Sequence, residues 1–89
     1  MKLIVKTYSS KPRFKVGDRV KVRTLKDLES EYGKQIRDRI VGQGSTMNSD
    51  MQEFCGQVVT IDAINVDHYR IKEFEYFWND WMFEKKKVK

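Results

Sequence analysis

Cysteine and histidine are almost absent from this 89-residue chain, which carries one of each, Cys55 and His68. A single thiol excludes an internal disulfide, and with it the bridge-stapled frameworks of small secreted domains, so a cytoplasmic setting is expected. No C-x-x-C or H-x-x-x-H spacing accompanies the pair, and no metal is expected. A Cys55–His68 nucleophilic couple would need a shared cleft and a third, orienting group. The alternative is a core thiol and a turn histidine. Long apolar runs are missing too. Leu3-Ile4-Val5 is too short for the core of a secretion signal, and nothing approaches a membrane span, so no membrane association is expected. Neither a P-loop nor G-x-G-x-x-G occurs, and Gly42-Gln43-Gly44 reads as a loop alone. A chain of this length buries only about 60–65% of its unfolded surface, which leaves little room for a deep catalytic cavity. Catalysis, a cofactor and a small-molecule substrate are therefore not expected.

Charge and aromatic rings are what the chain does have. Charged residues make up 35% and aromatics 12%, and large rings suit a small core because each buries a large area. The net charge of +5 is unevenly spread: residues 1–23 carry +7, residues 24–84 carry −6, and residues 85–89 carry +4. A mildly acidic body between basic ends can draw polyanions from a distance, or the ends can serve solubility alone.

The strongest local pattern runs from Phe14 to Arg23. Gly17-Asp18 is a turn dipeptide, after which Val20 and Val22 alternate with Arg19, Lys21 and Arg23. That spacing predicts a half-buried strand with a cationic outer face. Thr24 then caps a short helix, with Asp27 near the capping-box position and Leu25, Leu28 and Tyr32 on one face; Gly33 ends it. Ile36 and Ile40 extend the helical spacing, with Arg37 and Arg39 toward water, before a flexible loop at residues 42–45. Met47, Met51, Phe54 and Cys55 predict a second short helix, capped by Asn48 or Ser49 and ended by Gly56. Period-two alternation returns at Val59, Ile61 and Ala63, and again at Tyr69 and Ile71. An aromatic strand is expected at residues 74–78 and a last strand at 81–84, with the basic tail fraying. The carboxylates of Glu73 and Glu75 would share a strand face, either as a coupled acid pair or as solvated counter-charges.

In order along the chain, Val16-Gly17-Asp18-Arg19-Val20, then Phe54-Cys55-Gly56-Gln57-Val58-Val59-Thr60-Ile61, Tyr69-Arg70-Ile71, Trp78, and Asp80-Trp81-Met82-Phe83-Glu84 resemble a group of small SH3-like barrel proteins of bacteria and their phages. The resemblance covers residues 14–84. Phe54 stands where the group usually has Tyr, Gln57 where it often has Lys, and residues 74–78 are more acidic than its Gly-rich turn. The resemblance implies a mainly β fold, a five-stranded SH3-like barrel with one or two short helices inserted in its first long loops. Residues 1–13 would be an N-terminal arm and 85–89 a basic tail. It also implies a non-catalytic binding module from a phage or mobile element that modulates or inhibits a host factor such as a defence system.

Two surfaces are candidates for that binding. Tyr69, Phe74, Tyr76, Phe77, Trp78, Trp81 and Phe83 crowd the last third of the chain, more rings than a small core hides. Exposed Trp and Tyr are typical protein-interface anchors, so a protein partner would be met by Tyr76, Trp78 and Trp81, together with Arg37 and Arg39 of the loop at residues 34–46. Alternatively these rings line a thin-walled barrel. The second surface is cationic: Lys11, Arg13, Arg19, Lys21, Arg23, Lys85, Lys86 and Lys87 could track the phosphates of a nucleic acid, without a signature for reading its sequence.

Overall fold

The computed structural model describes residues 13–66 and 68–88. The Leu3-Ile4-Val5 run and Lys11 lie outside them. A turn opens the fold: Asp18 N donates to Lys15 O at 3.0 Å, Lys15 N donates to the Asp18 carboxylate at 2.9 Å, and Gly17 supplies the left-handed φ of 95°. Strand β1 (Arg19–Lys21) follows, pairing antiparallel with β4 (Val58–Ile64) so that Val20 faces Val59. β4 pairs on its other edge with β5 (Tyr69–Ile71). The register slips between Ile61 and Ala63, a β-bulge or irregularity in the ladder, and Ile64 beyond it still packs against the core.

Between β1 and β4 lie two helices and a hairpin. Helix α1 (Leu25–Tyr32) begins where Asp27 N donates to Thr24 Oγ1 at 3.1 Å, buries Leu28, and stops at Gly33, whose φ is 92°. Helix α2 (Ser49–Gln52) is a single turn, capped by Asn48 Oδ1, which accepts from Met51 N at 3.0 Å. Strands β2 (Ile40–Val41) and β3 (Thr46–Met47) form a separate antiparallel pair, with Ile40 opposite Met47. One core joins these parts: Phe14, Val20, Val22, Leu28, Ile40, Met47, Val59, Ile61, Trp78 and Phe83 are all but sealed from solvent.

The fold is mainly β, with two helices and antiparallel sheets, and among the described residues no closed five-stranded barrel is formed. Several expected elements differ. The helical spacing of Ile36 and Ile40 does not continue α1. Instead Ile36 and Arg39 exchange backbone hydrogen bonds of 2.8 and 3.0 Å across Arg37 and Asp38, which starts the hairpin. Met47 belongs to β3 rather than to the second helix. Residues 74–77 are no strand: Tyr76 N donates to Phe74 O, a three-residue turn, and the two rings pack edge-on at 4.7 Å. Only Trp78 bridges β5, through Tyr69. The stretch expected as a last strand is a 3-10 turn, Asp80–Met82, followed by a single bridge from Phe83 to Val22.

The basic tail does not fray over its described residues. Glu84 N donates to Lys21 O at 2.9 Å and Val88 N to Arg19 O at 2.7 Å, so residues 83–88 lie along the free edge of β1. The physical reason is that an open strand edge presents unpaired N–H and C=O groups, which the tail satisfies.

Candidate functional site

The two tryptophans expected as partner anchors are interior residues. Trp78 is fully buried because its backbone pairs with Tyr69, which turns the indole inward to stack on Phe83 at 5.8 Å and meet the edge of Phe54 at 6.0 Å. Trp81 is 8% exposed. Its Nε1 donates to Ser45 Oγ at 2.9 Å and its ring packs on Tyr32 at 4.9 Å. A Cβ at Gly42 would lie 2.5 Å from the indole, so only glycine lets the backbone approach this closely. The Gly42-Gln43-Gly44 segment, read as a loop alone, is the seat of Trp81. Of the three expected anchors Tyr76 is exposed, and its hydroxyl donates to Asp50 at 3.3 Å. Its neighbour Phe77 is 62% exposed and packs at a tilt on His68, with ring centroids 4.1 Å apart.

The cationic set divides in the same way. Arg23 is held by Asp27 at 2.7 Å and Glu31 at 2.6 Å, donates to Trp81 O at 3.1 Å and lies over the Tyr32 ring. The hydrogen bond it donates to Asp27 is the chief reason its proton is held even more tightly than usual, and that same bond lowers the Asp27 carboxyl below its ordinary value. Arg13 pairs with Asp80 at 2.7 Å, and Tyr69 Oη joins them, accepting from Arg13 N and donating to Asp80. Burial above all, then Asp80, raises the Tyr69 hydroxyl pKa. Both arginines are thus engaged by partners within the chain, Arg23 largely buried and Arg13 at the surface. Lys21 and Lys87 make looser pairs, to Glu84 at 3.8 Å and Asp18 at 3.6 Å. Arg19, Lys85 and Lys86 are exposed, with no ion pair among the described residues.

Arg37 and Arg39 stand on the hairpin, and here the structure gathers an exposed surface that sequence reasoning only half found. Arg37 and Asp38 have φ of 53° and 63°, the left-handed pair that a two-residue hairpin turn requires. Aspartate tolerates this region, whereas an arginine there is uncommon. Alternation does the rest: Ile40 and Met47 point into the core, and Val41 and Thr46 point out. Ile36 is 67% and Val41 57% exposed. With Arg37, Arg39 and Thr46 they line a shallow open recess of about 330 Å³. Neither arginine has an ion pair among the described residues. Two supports fix the hairpin from behind. Gln52 Nε2 donates to Asp38 O at 2.9 Å, and Trp81 holds Gly42 and Ser45. The missed residues are Ile36 and Val41. Their signal was an Asp between two stretches of β-branched and cationic residues, a pattern equally readable as helix.

Cys55 packs half-buried against the core, and burial raises its thiol pKa. Glu73 is taken by Thr60, which donates from its N at 3.0 Å and its hydroxyl at 3.1 Å. Among the described residues no group of three or more His, Cys, Asp or Glu could hold a metal ion, and no helix is long and apolar enough to cross a membrane. Comparison with known proteins finds no family model, no curated protein and no solved structure that matches.

Proposed function

We propose that this chain is a small SH3-like, non-catalytic module that docks on a protein partner through the outer face of the β2–β3 hairpin. The single observation that carries the reading is the surface of residues 36–46: two exposed branched apolar residues beside two arginines with no ion pair among the described residues, where Gln52 holds the turn at Asp38 and Trp81 holds the loop at Gly42 and Ser45. Apolar anchors beside arginine are the usual composition of an interface centre. The uncommon backbone at Arg37 adds to it, since strained positions persist where function uses them. The recess is too open to enclose a small molecule, and its charge favours an acidic segment with apolar side chains.

The SH3-like part of the proposal draws on the order of paired segments: residues 83–88, β1, β4, β5 and Trp78, with a 3-10 turn joining the last segment back to the first. The resemblance of residues 14–84 to proteins of bacteria and phages supports a phage or mobile-element origin and a role in modulating a host factor.

The test is affinity capture from nuclease-treated bacterial lysate, using the intact chain as bait. A partner retained by the wild type and lost from Ile36→Asp and from Arg37→Glu/Arg39→Glu, with circular dichroism unchanged, is the expected result. A partner held equally by both variants would place docking elsewhere.

A further inference from the structure

The pairing of the tail with β1 creates a second surface, and we infer that it binds the phosphate backbone of nucleic acid without regard to sequence. The decisive feature is a mismatch in length. Along β1 the tail is tied at Lys21, by Glu84 N, and at Arg19, by Val88 N. The tail uses four residue steps to cover two on β1, so residues 85–87 must bulge from the edge. All three are lysines, and all three are exposed. Beside them Arg19 and Lys21 alternate with the buried Val20 and Val22, which sets both on the outer face. Cations that stand more than sixty residues apart in sequence thereby form one ridge, with Lys15 at its turn.

Four carboxylates stand near the six cations: Asp18 on Lys87, Glu84 on Lys21, Glu73, held by Thr60 on the neighbouring strand, and Asp62, two residues from Thr60 on the same outer face of β4. The ridge stays positive. Its chemistry differs from that of the hairpin. The exposed aromatic rings among the described residues, Tyr76 and Phe77, belong to the opposite end of the strand order, so the ridge offers no platform for stacking bases. Nor does it offer a well-packed aromatic or arginine anchor of the kind that dominates protein interfaces. Point cations on a fixed edge suit phosphates, whose contacts position a strand and carry no sequence information.

The experiment measures binding of a labelled 20-nucleotide single strand of mixed sequence to the full chain between 50 and 200 mM salt. With Arg19, Lys21, Lys85, Lys86 and Lys87 each neutralising one phosphate, the log–log salt slope should be about −3.5, a loss of about 100-fold across that range. Lys85→Gln/Lys86→Gln should bring the slope to about −2 and leave the fold intact. Val88→Pro keeps every charge and removes the N–H that ties the tail to Arg19; it should weaken binding at least several-fold, because the lysines then disperse. No complex at 50 mM salt would overturn the inference. So would a slope unchanged by the lysine substitutions, or a Val88→Pro variant that binds like wild type. Displacement by polyglutamate as effective as by unlabelled oligonucleotide would reassign the ridge to acidic proteins. These outcomes are independent of the hairpin variants.

Discussion

Arg23 and Arg39 carry the same charge and meet opposite fates. Arg23, with its side chain 14% exposed, is fixed by two carboxylates, a carbonyl and a ring. Arg39 is exposed on the hairpin and has no ion pair among the described residues. The first joins α1 to the Trp81 turn, and its guanidinium suits that task because a planar fork can meet several acceptors at once. The second is left with its full set of donors. A count of cations along the chain treats them alike. Partners in space separate the charge that holds the molecule together from the charge that remains for something else.

The largest effect that would test this contrast lies at the residue both regions share. Trp81→Ala removes the ring that spans Tyr32 and Gly42, and should cost about 3–5 kcal/mol in urea unfolding, as for other buried aromatic truncations. It should also speed amide exchange at Gly42 and Ser45, because the hairpin loses its rear support. A smaller effect is expected on the held side. Arg23→Met keeps the aliphatic packing and loses the charged hydrogen bonds, for about 2 kcal/mol at neutral pH. Its pH dependence identifies the cause. Arg23 holds the Asp27 carboxyl below its ordinary 3.8. In the acid range the unfolded chain therefore binds more protons, and stability rises with pH. The contribution is whole above the unfolded value and lost as pH falls through the lower folded one. The difference between wild type and Arg23→Met should therefore shrink below about pH 4. The smallest change belongs to the exposed side: Arg37→Glu/Arg39→Glu should alter unfolding free energy by less than about 0.5 kcal/mol. A loss as large as that of Arg23→Met would dissolve the contrast.

Where a short sequence window holds both the cause and its effect, the fold was legible. Thr24 and Asp27 announce α1, Gly17-Asp18 the first turn, and Val20, Val22, Val59, Ile61, Tyr69 and Ile71 the inward faces of three strands. The hairpin was not, since Ile36 and Ile40 fit a helical spacing as well as a strand and the left-handed turn rests on Arg37, an unusual occupant. Trp78 and Trp81 misled for another reason. Ring size and position in the chain say nothing of which rings find a seat, and the seat of Trp81 is a glycine far from it in sequence. The hairpin arginines were named from the sequence, but not the apolar pair between which they stand. The tail was judged by its lysines, although what places it is the backbone of β1.

That last pairing also governs when the molecule can be finished. β1 lies near the start of the described chain, and the segment covering its outer edge lies near the end. During synthesis the strand emerges before residues 83–88, which cover its edge only once they have left the ribosome. Such long-range closure slows folding, and a bare edge invites pairing with other chains in the interval. Once the tail is in place the edge is covered, and exposed lysines at 85–87 are the kind of charge that discourages further edge pairing. A chain halted before residue 83 would have the strand without its guard.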